Sequence, residues 1–178
     1  MGVVYGAGPA VPAPGLGLAP SRYRWRMPAE LEIAPVSAAR YEELLPLIAA
    51  YQRFYEVEEI DTDRNRSFFR RFLAPSEDGE LLAARDEGGE ILGYACLYWH
   101  FSSTRAVETV LMNDLFVTPE ARGRGVGRAL IEASRAVARA RGAAWLEWAT
   151  APDNHAAQRL YDSMTSEKST WLEYELDV

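Results

Sequence analysis

The sequence predicts a single-domain α/β (α+β) fold, one mixed sheet covered by helices in the order βααβββαβαβ. Three observations carry that reading. Two helical-period segments separate a first short strand from three strand-like runs between Glu80 and Val117. A strongly amphipathic run, Ala129 to Arg141, follows a glycine-rich turn. From there strand and helix patterns alternate to the end, and no internal repeat interrupts them. A chain of 178 residues that is 48% hydrophobic can fill one sizeable core.

Leu31 to Val36 alternates Leu, Ile and Val with Glu and Ala, a short strand. Ser37 is placed to cap a helix reaching about Glu56, with Leu44, Leu45, Leu47, Ile48 and Tyr51 on its apolar face. Pro46 inside it implies a kink or a break. Asp61 or Thr62 opens a second helix that ends near Leu73, before Ala74-Pro75. Glu80 to Arg85 and Ile91 to His100 form a hairpin across Asp86-Glu87-Gly88-Gly89, and Thr109 to Val117 is a third long strand. In the Ala129–Arg141 helix, Leu130, Ile131, Ala133, Val137 and Ala138 share the sheet-facing side, and Gly142 stops it. Ala144 to Thr150 carries large side chains on both faces, as a strand buried between layers does. Asn154 begins a helix to about Met164, and Thr170 to Leu176 alternates as a closing strand.

Residues 1–28 are rich in Gly, Ala and Pro and read as a flexible or loosely docked extension, leaving 29–178 as the folded domain. The net charge of −7 argues against a nucleic-acid partner, which needs clustered positive charge, and suits a cationic or neutral amine. One cysteine, Cys96, precludes an internal disulfide and fits a reducing cytoplasm. No apolar run is long enough to span a membrane. Two histidines and one cysteine offer no metal constellation, so no metal is expected.

The richest stretch is Arg122-Gly123-Arg124-Gly125-Val126-Gly127-Arg128, at a strand-to-helix junction. Glycine lets the backbone turn sharply and approach a ligand. The unpaired amides at the start of the next helix, its dipole and the arginines all favour phosphate. The heptapeptide therefore reads as a pyrophosphate seat. A nucleotide-hydrolase loop needs Gly-Lys, and the chain contains no such pair. A dinucleotide fingerprint needs G-x-G-x-x-G, and here the glycines read G-x-G-x-G.

Arg122, Gly125 and Gly127 resemble the acyl-CoA motif Arg/Gln-x-x-Gly-x-Gly/Ala of the GNAT N-acetyltransferase superfamily. Asn113-Asp114-Leu115-Phe116-Val117-Thr118-Pro119-Glu120 is similar to that family's fourth strand and its exit. Asn154-His155-Ala156-Ala157-Gln158-Arg159-Leu160-Tyr161 is similar to its Asn-x-x-Ala-x-x-x-Tyr helix. The resemblance covers about residues 31–178 and is strongest over 110–161. It implies a mostly antiparallel sheet flanked by helices, acetyl-CoA as cosubstrate, and direct attack by an amine in a ternary complex.

By resemblance, Arg122 to Arg128 hold the cosubstrate (Gly123, Arg124, Gly125, Val126 and Gly127 between them). The backbones of Leu115, Phe116 and Val117 meet the pantetheine arm and thioester oxygen, Asn154 grips that arm, and Tyr161 is both a cofactor contact and the general acid. A phenol with a pKa near 10 is protonated at neutral pH and can donate to a leaving thiolate. The bland alternatives are a core ring for Tyr161 and a helix cap for Asn154. The family's usual catalytic glutamate is replaced by Asn113, which cannot act as a base. Asp114 is the nearest substitute, although neighbouring strand side chains point to opposite faces. Glu108 and Glu147 are further candidates. Between Trp145 and Trp148, Glu147 is expected to have its pKa raised by desolvation, unless it pairs with an arginine.

Tyr51, Phe54 and Tyr55 are reminiscent of the acceptor wall in relatives that act on amines, and Trp99 and Asn113 are placed beside them; aromatic faces suit a cationic amine, or simply belong to the core. A helix-ending glycine usual in the family is missing at Met164-Thr165-Ser166. The expected acceptor is a small-molecule amine such as an amino acid, a polyamine or an amine-bearing natural product. A protein lysine or N-terminus is the alternative, and an inert acyl-CoA-binding regulator is the non-enzymatic one. Homodimers are frequent in the superfamily, so pairing through the C-terminal strand is compatible with this reading.

Overall fold

The computed structural model describes residues 25–26, 31–164 and 167–178. Residues 1–24 and 27–30, hence most of the expected extension, and Thr165–Ser166 at the missing glycine lie outside the described residues. The chain divides into two compact units, one ending at Trp148 and the other running from Ala149 to Val178.

The first unit is built on a sheet whose spatial order is its chain order: β1 (Trp25–Arg26), β2 (Glu32–Pro35), β3 (Gly79–Arg85), β4 (Ile91–Ser102), β5 (Val107–Val117) and β6 (Leu146–Glu147). All neighbours are antiparallel except β5 and β6. The β3–β4 hairpin closes where Asp86 Oδ1 accepts the Glu90 N–H at 2.9 Å and Gly89 takes a φ of 85°. Every residue of β3 is buried, as expected of a strand covered on both faces.

The helix expected from Ser37 to Glu56 is two elements. A 3-10 segment, Ala38–Glu43, precedes α1 (Leu45–Phe54), and Pro46 falls in the first turn of α1. A helix start needs no N–H there, so proline marks a new beginning rather than a kink. Ser37 makes no side-chain cap bond. Asp61 caps α2 (Thr62–Phe69), its Oδ1 accepting the Asp63 and Arg64 amides at 2.8 and 3.0 Å. Leu44, Ile48, Phe69 and Phe72 close one face of the sheet over Leu81, Tyr94, Cys96 and Phe116. On the other face lies α3 (Val126–Ala140), which buries the expected Leu130, Ile131, Ala133, Val137 and Ala138. Its close seat needs Gly93, where an added Cβ would stand 2.5 Å from Phe116 O and 3.3 Å from the Leu130 side chain. Gly142 ends the run at φ 75°.

Two strand expectations are corrected. Of Ala144–Thr150 only Leu146–Glu147, both half-buried, form a strand, paired with Val110 and Leu111; before it, Ala144 N–H donates to Glu108 O at 2.9 Å and Trp145 O accepts the Val110 N–H at 3.1 Å. Just beyond that pair β5 carries a bulge, a feature that bends a strand and ends pairing. Thr170–Leu176 forms no strand: Trp171, Leu172, Tyr174 and Leu176 are 77–89% exposed. Its unit contains α4 (His155–Asp162) and no other described strand, so that segment has no edge of its own unit to pair with.

Candidate functional site

The glycine-rich turn has the geometry its sequence demands. Gly123 and Gly125 adopt φ of 75° and 83°, which L side chains rarely adopt, and a Cβ at either would face open space. Close contacts inside the protein therefore do not require glycine here; backbone conformation does. Gly125 caps α3, and the first intrahelical bond runs from Ala129 N–H to Gly125 O at 3.0 Å. The Val126 and Gly127 amides thus open the helix ahead of its ladder, on an exposed turn flanked by Arg122, Arg124 and Arg128. Arg122 Nε donates to Val117 O at 3.3 Å, tying the turn to the end of β5. This open, positive cradle fits the diphosphate of an acyl-CoA.

The exit of β5 adds directed amides. Thr118 N–H donates to Leu92 O on the β4 side at 2.9 Å. Alternation along the strand turns Phe116 the same way and the Leu115 and Val117 amides to the opposite edge. Backbone bonds and β6 pairing on that edge reach from Glu108 to Leu111 and stop short of Leu115 and Val117. Phe116 is corrected as an amide donor, because its N–H belongs to the sheet and its buried ring packs 5.9 Å from that of Tyr51.

A bulge shapes the centre of β5. Cys96 faces Asp114 while Leu97 faces Met112, so Asn113 is the extra residue. Ordinary alternation would put Asn113 and Asp114 on opposite faces; here both line one cavity, and Asn113 Nδ2 donates to Asp114 Oδ1 at 2.9 Å. That cavity, about 380 Å³, lies among α1, α2, β4 and β5. Tyr51, Tyr55, Phe68 and Tyr98 supply its aromatic wall. Asp114 is 7% exposed, and burial pushes its carboxyl up to about 6 against the opposing effect of the Asn113 bond.

The pattern of the acetyltransferase (GNAT) family matches residues 44–164, most of the chain and both halves of this site. The chain belongs to the GNAT acetyltransferase family. It is 34% identical over 136 residues to the uncharacterized N-acetyltransferase YhfO of Bacillus subtilis, covering 76% of this chain and 89% of that one. It is 42% identical over 94 residues to the D-amino-acid N-acetyltransferase HPA3 of Saccharomyces cerevisiae, covering 52% of this chain and 58% of that protein. The solved structure of a probable acetyltransferase superposes with a TM-score of 0.72 at 27% identity, over 82% of this chain and 97% of that chain. Like its family, this GNAT protein is an acetyl-CoA-dependent N-acetyltransferase.

In this acetyltransferase Glu147 is not the desolvated base expected. Burial pushes its carboxyl up, but bonds from His100 Nδ1 (3.1 Å), Trp145 Nε1 (3.2 Å) and Thr109 Oγ1 (3.0 Å) outweigh it and hold the pKa below the usual value. The neighbour that satisfies it is thus a histidine network rather than an arginine. Glu108 is exposed on β5. Phe54 is 53% exposed, packs edge-on against Tyr55, and is not part of the cavity wall. Trp99 is absent from that wall too: its Nε1 donates to Ser76 O at 3.0 Å, and the Arg141 guanidinium lies 3.8 Å over its ring. In the second unit Asn154 Oδ1 accepts the Ala157 amide at 3.2 Å, a true N-cap, and Tyr161 is half-buried on α4.

Reading the sequence missed the contribution of α2. Arg64, Asn65 and Phe68 line the cavity, as do Gln52 of α1 and Tyr94 and Tyr98 of β4. Gln52 and Asn65 exchange side-chain bonds at 2.9 and 2.7 Å, pinning α1 to α2 across it. The nearest signal was the capping Asp61, which located α2 without saying what its inner face meets.

Proposed function

We propose that the protein transfers the acetyl group of acetyl-CoA to the primary amine of a small molecule that enters the cavity beside Asp114. The observation carrying this reading is a buried carboxylate on an aromatic wall, turned by the bulge towards that cavity. Arg122 to Arg128 hold the diphosphate through the open glycine turn and its arginines. The Leu115 and Val117 amides receive the pantetheine arm and the developing negative charge on the carbonyl oxygen, with one such donor contributing roughly 2.7–4 kcal/mol. Asn154 and Tyr161 act as their motif implies.

Asp114 takes a proton from the incoming ammonium, helped by a pKa nearer neutrality than that of a solvated aspartate. The freed lone pair forms the new C–N bond as the C–S bond breaks. Tyr161 returns a proton to the departing sulfur, and the amide nitrogen releases its second proton to solvent. The products are an N-acetylated amine and free thiol. The yeast relative named for D-amino acids supports a small acceptor. Screening an amine library with acetyl-CoA and reading thiol release tests this. Turnover of small amines, with a large fall in Tyr161→Phe at intact CoA binding, is the expected result; CoA binding without transfer to any amine overturns it.

A further inference from the structure

We infer that the acceptor amine carries a carboxylate, which Arg64 holds while Asp114 serves the amino group: an amino acid rather than a polyamine or other polycation. This rests on the acetyl-transfer reading above and narrows its substrate class. Among the described residues lining the cavity only two are charged, Arg64 and Asp114, and their signs are opposite. Arg64 stands in the first turn of α2 with Nη2 bonded to Glu59 O at 2.7 Å, which fixes the guanidinium and leaves further donors of its fork. Among the described residues the acids of the α2 start keep out of the cavity, although the Asp61 charge also acts on Arg64. Asp61 accepts the Asp63 and Arg64 backbone amides, and Asp63 pairs with Arg66; neither lines the cavity. The Gln52 and Asn65 amides, bonded to each other, add polarity but no charge.

Charge pairing in this cavity discriminates among amines. A polyamine or aminoglycoside satisfies Asp114 with one ammonium and brings another towards Arg64, a like-charge encounter. A monoamine leaves Arg64 in water. An amino acid presents a cation to Asp114 and a planar carboxylate to a guanidinium that can meet it bidentately. Tyr51, Tyr55, Phe68 and Tyr98 then offer an apolar seat for its side chain.

The test compares matched pairs on the full chain with acetyl-CoA and a thiol-release readout: phenylalanine, in both hands, against phenethylamine; leucine against 3-methylbutylamine; and spermidine. The amino acids are expected to exceed the decarboxylated amines and spermidine in kcat/KM by on the order of tenfold or more, the scale of one charge-assisted bond. In Arg64→Met that ratio falls by a similar factor, chiefly through KM of the amino acid, and Arg64→Lys restores part of it. Equal or greater kcat/KM for the decarboxylated amines or spermidine overturns this inference while leaving acetyl transfer standing, as does a ratio unmoved by Arg64→Met in a variant that melts like the parent. Turnover of none of these, nor of any amine in a broad library, removes the acetyl-transfer reading and this one with it.

Discussion

Asn113 and Asp114, consecutive on β5, reach the same cavity and are joined by a 2.9 Å bond from Asn113 Nδ2 to Asp114 Oδ1. A regular strand forbids that meeting, and the one-residue bulge opposite Cys96 and Leu97 permits it. An asparagine unable to act as a base thereby becomes the donor that steadies an aspartate able to do so. Desolvation and the Asn113 bond act on that carboxyl in opposite directions, and desolvation prevails.

With Asp114 as the proposed base, the pH profile of transfer follows from that carboxyl. A base must be ionised, so kcat/KM is expected to fall about tenfold per unit as pH drops below about 6, and to level off above it. In Asp114→Asn this limb disappears and the plateau falls by roughly 10²–10⁴-fold, the usual worth of general-base catalysis. Steady-state rates from pH 5 to 8 decide it; a limb at about 6 that survives in Asp114→Asn assigns the titration elsewhere.

Stability should move in the opposite sense. Asp114 binds its proton more tightly folded, with a pKa of about 6 against 3.8, so between those values the native state holds more protons and stability declines as pH rises. Removing the charge in Asp114→Asn relieves a penalty of up to about 3 kcal/mol at neutral pH, and the relief fades towards pH 4. Urea melts of both proteins at pH 4 and 7 measure it. A variant less stable than the parent at pH 7 contradicts this account of the carboxyl's environment.

Most of this layout was legible in the chain because apolar period and turn chemistry agree there: the α3 face, the β3–β4 hairpin and the cap at Asp61 all stand where the residues put them. The bulge left no trace. Both faces of β5 are covered, so buried residues such as Val110, Met112 and Phe116 continue on either side of it and no alternation is broken. Glu147 misled for a different reason. Its flanking tryptophans look apolar in sequence, yet Trp145 donates an indole N–H, and His100 and Thr109 arrive from β4 and β5, distant in the chain. Arg64 was invisible for the same cause, since only the packing of α1 on α2 brings it to a cavity shared with β5.

The two glycine sites should respond differently to alanine. At Gly125 the left-handed φ of 83° is the whole obstacle, because the added Cβ meets nothing. Gly125→Ala is expected to lose about 1–2 kcal/mol of stability and to raise the Kd for CoA as the turn relaxes. Gly93→Ala drives a Cβ to 2.5 Å from Phe116 O between β4 and β5, so its larger loss should appear in folding itself. Denaturation curves and CoA titration by calorimetry separate them. Equal CoA affinity in Gly125→Ala and the parent would sink the role given to the turn.

Tyr94 presents the opposite economy. Its hydroxyl is buried without a hydrogen-bond partner among the described residues, although the side chain lines the cavity beside Asp114. Burial first, and the Asp114 charge second, raise its pKa well above the usual phenol value, so it stays a neutral donor at any working pH. An unsatisfied buried hydroxyl costs about 1–3 kcal/mol, which a phenylalanine of the same shape avoids. Tyr94→Phe is therefore expected to match or exceed the parent in stability, read by urea denaturation. A stability loss beyond about 1 kcal/mol would mean that the fold itself satisfies this hydroxyl.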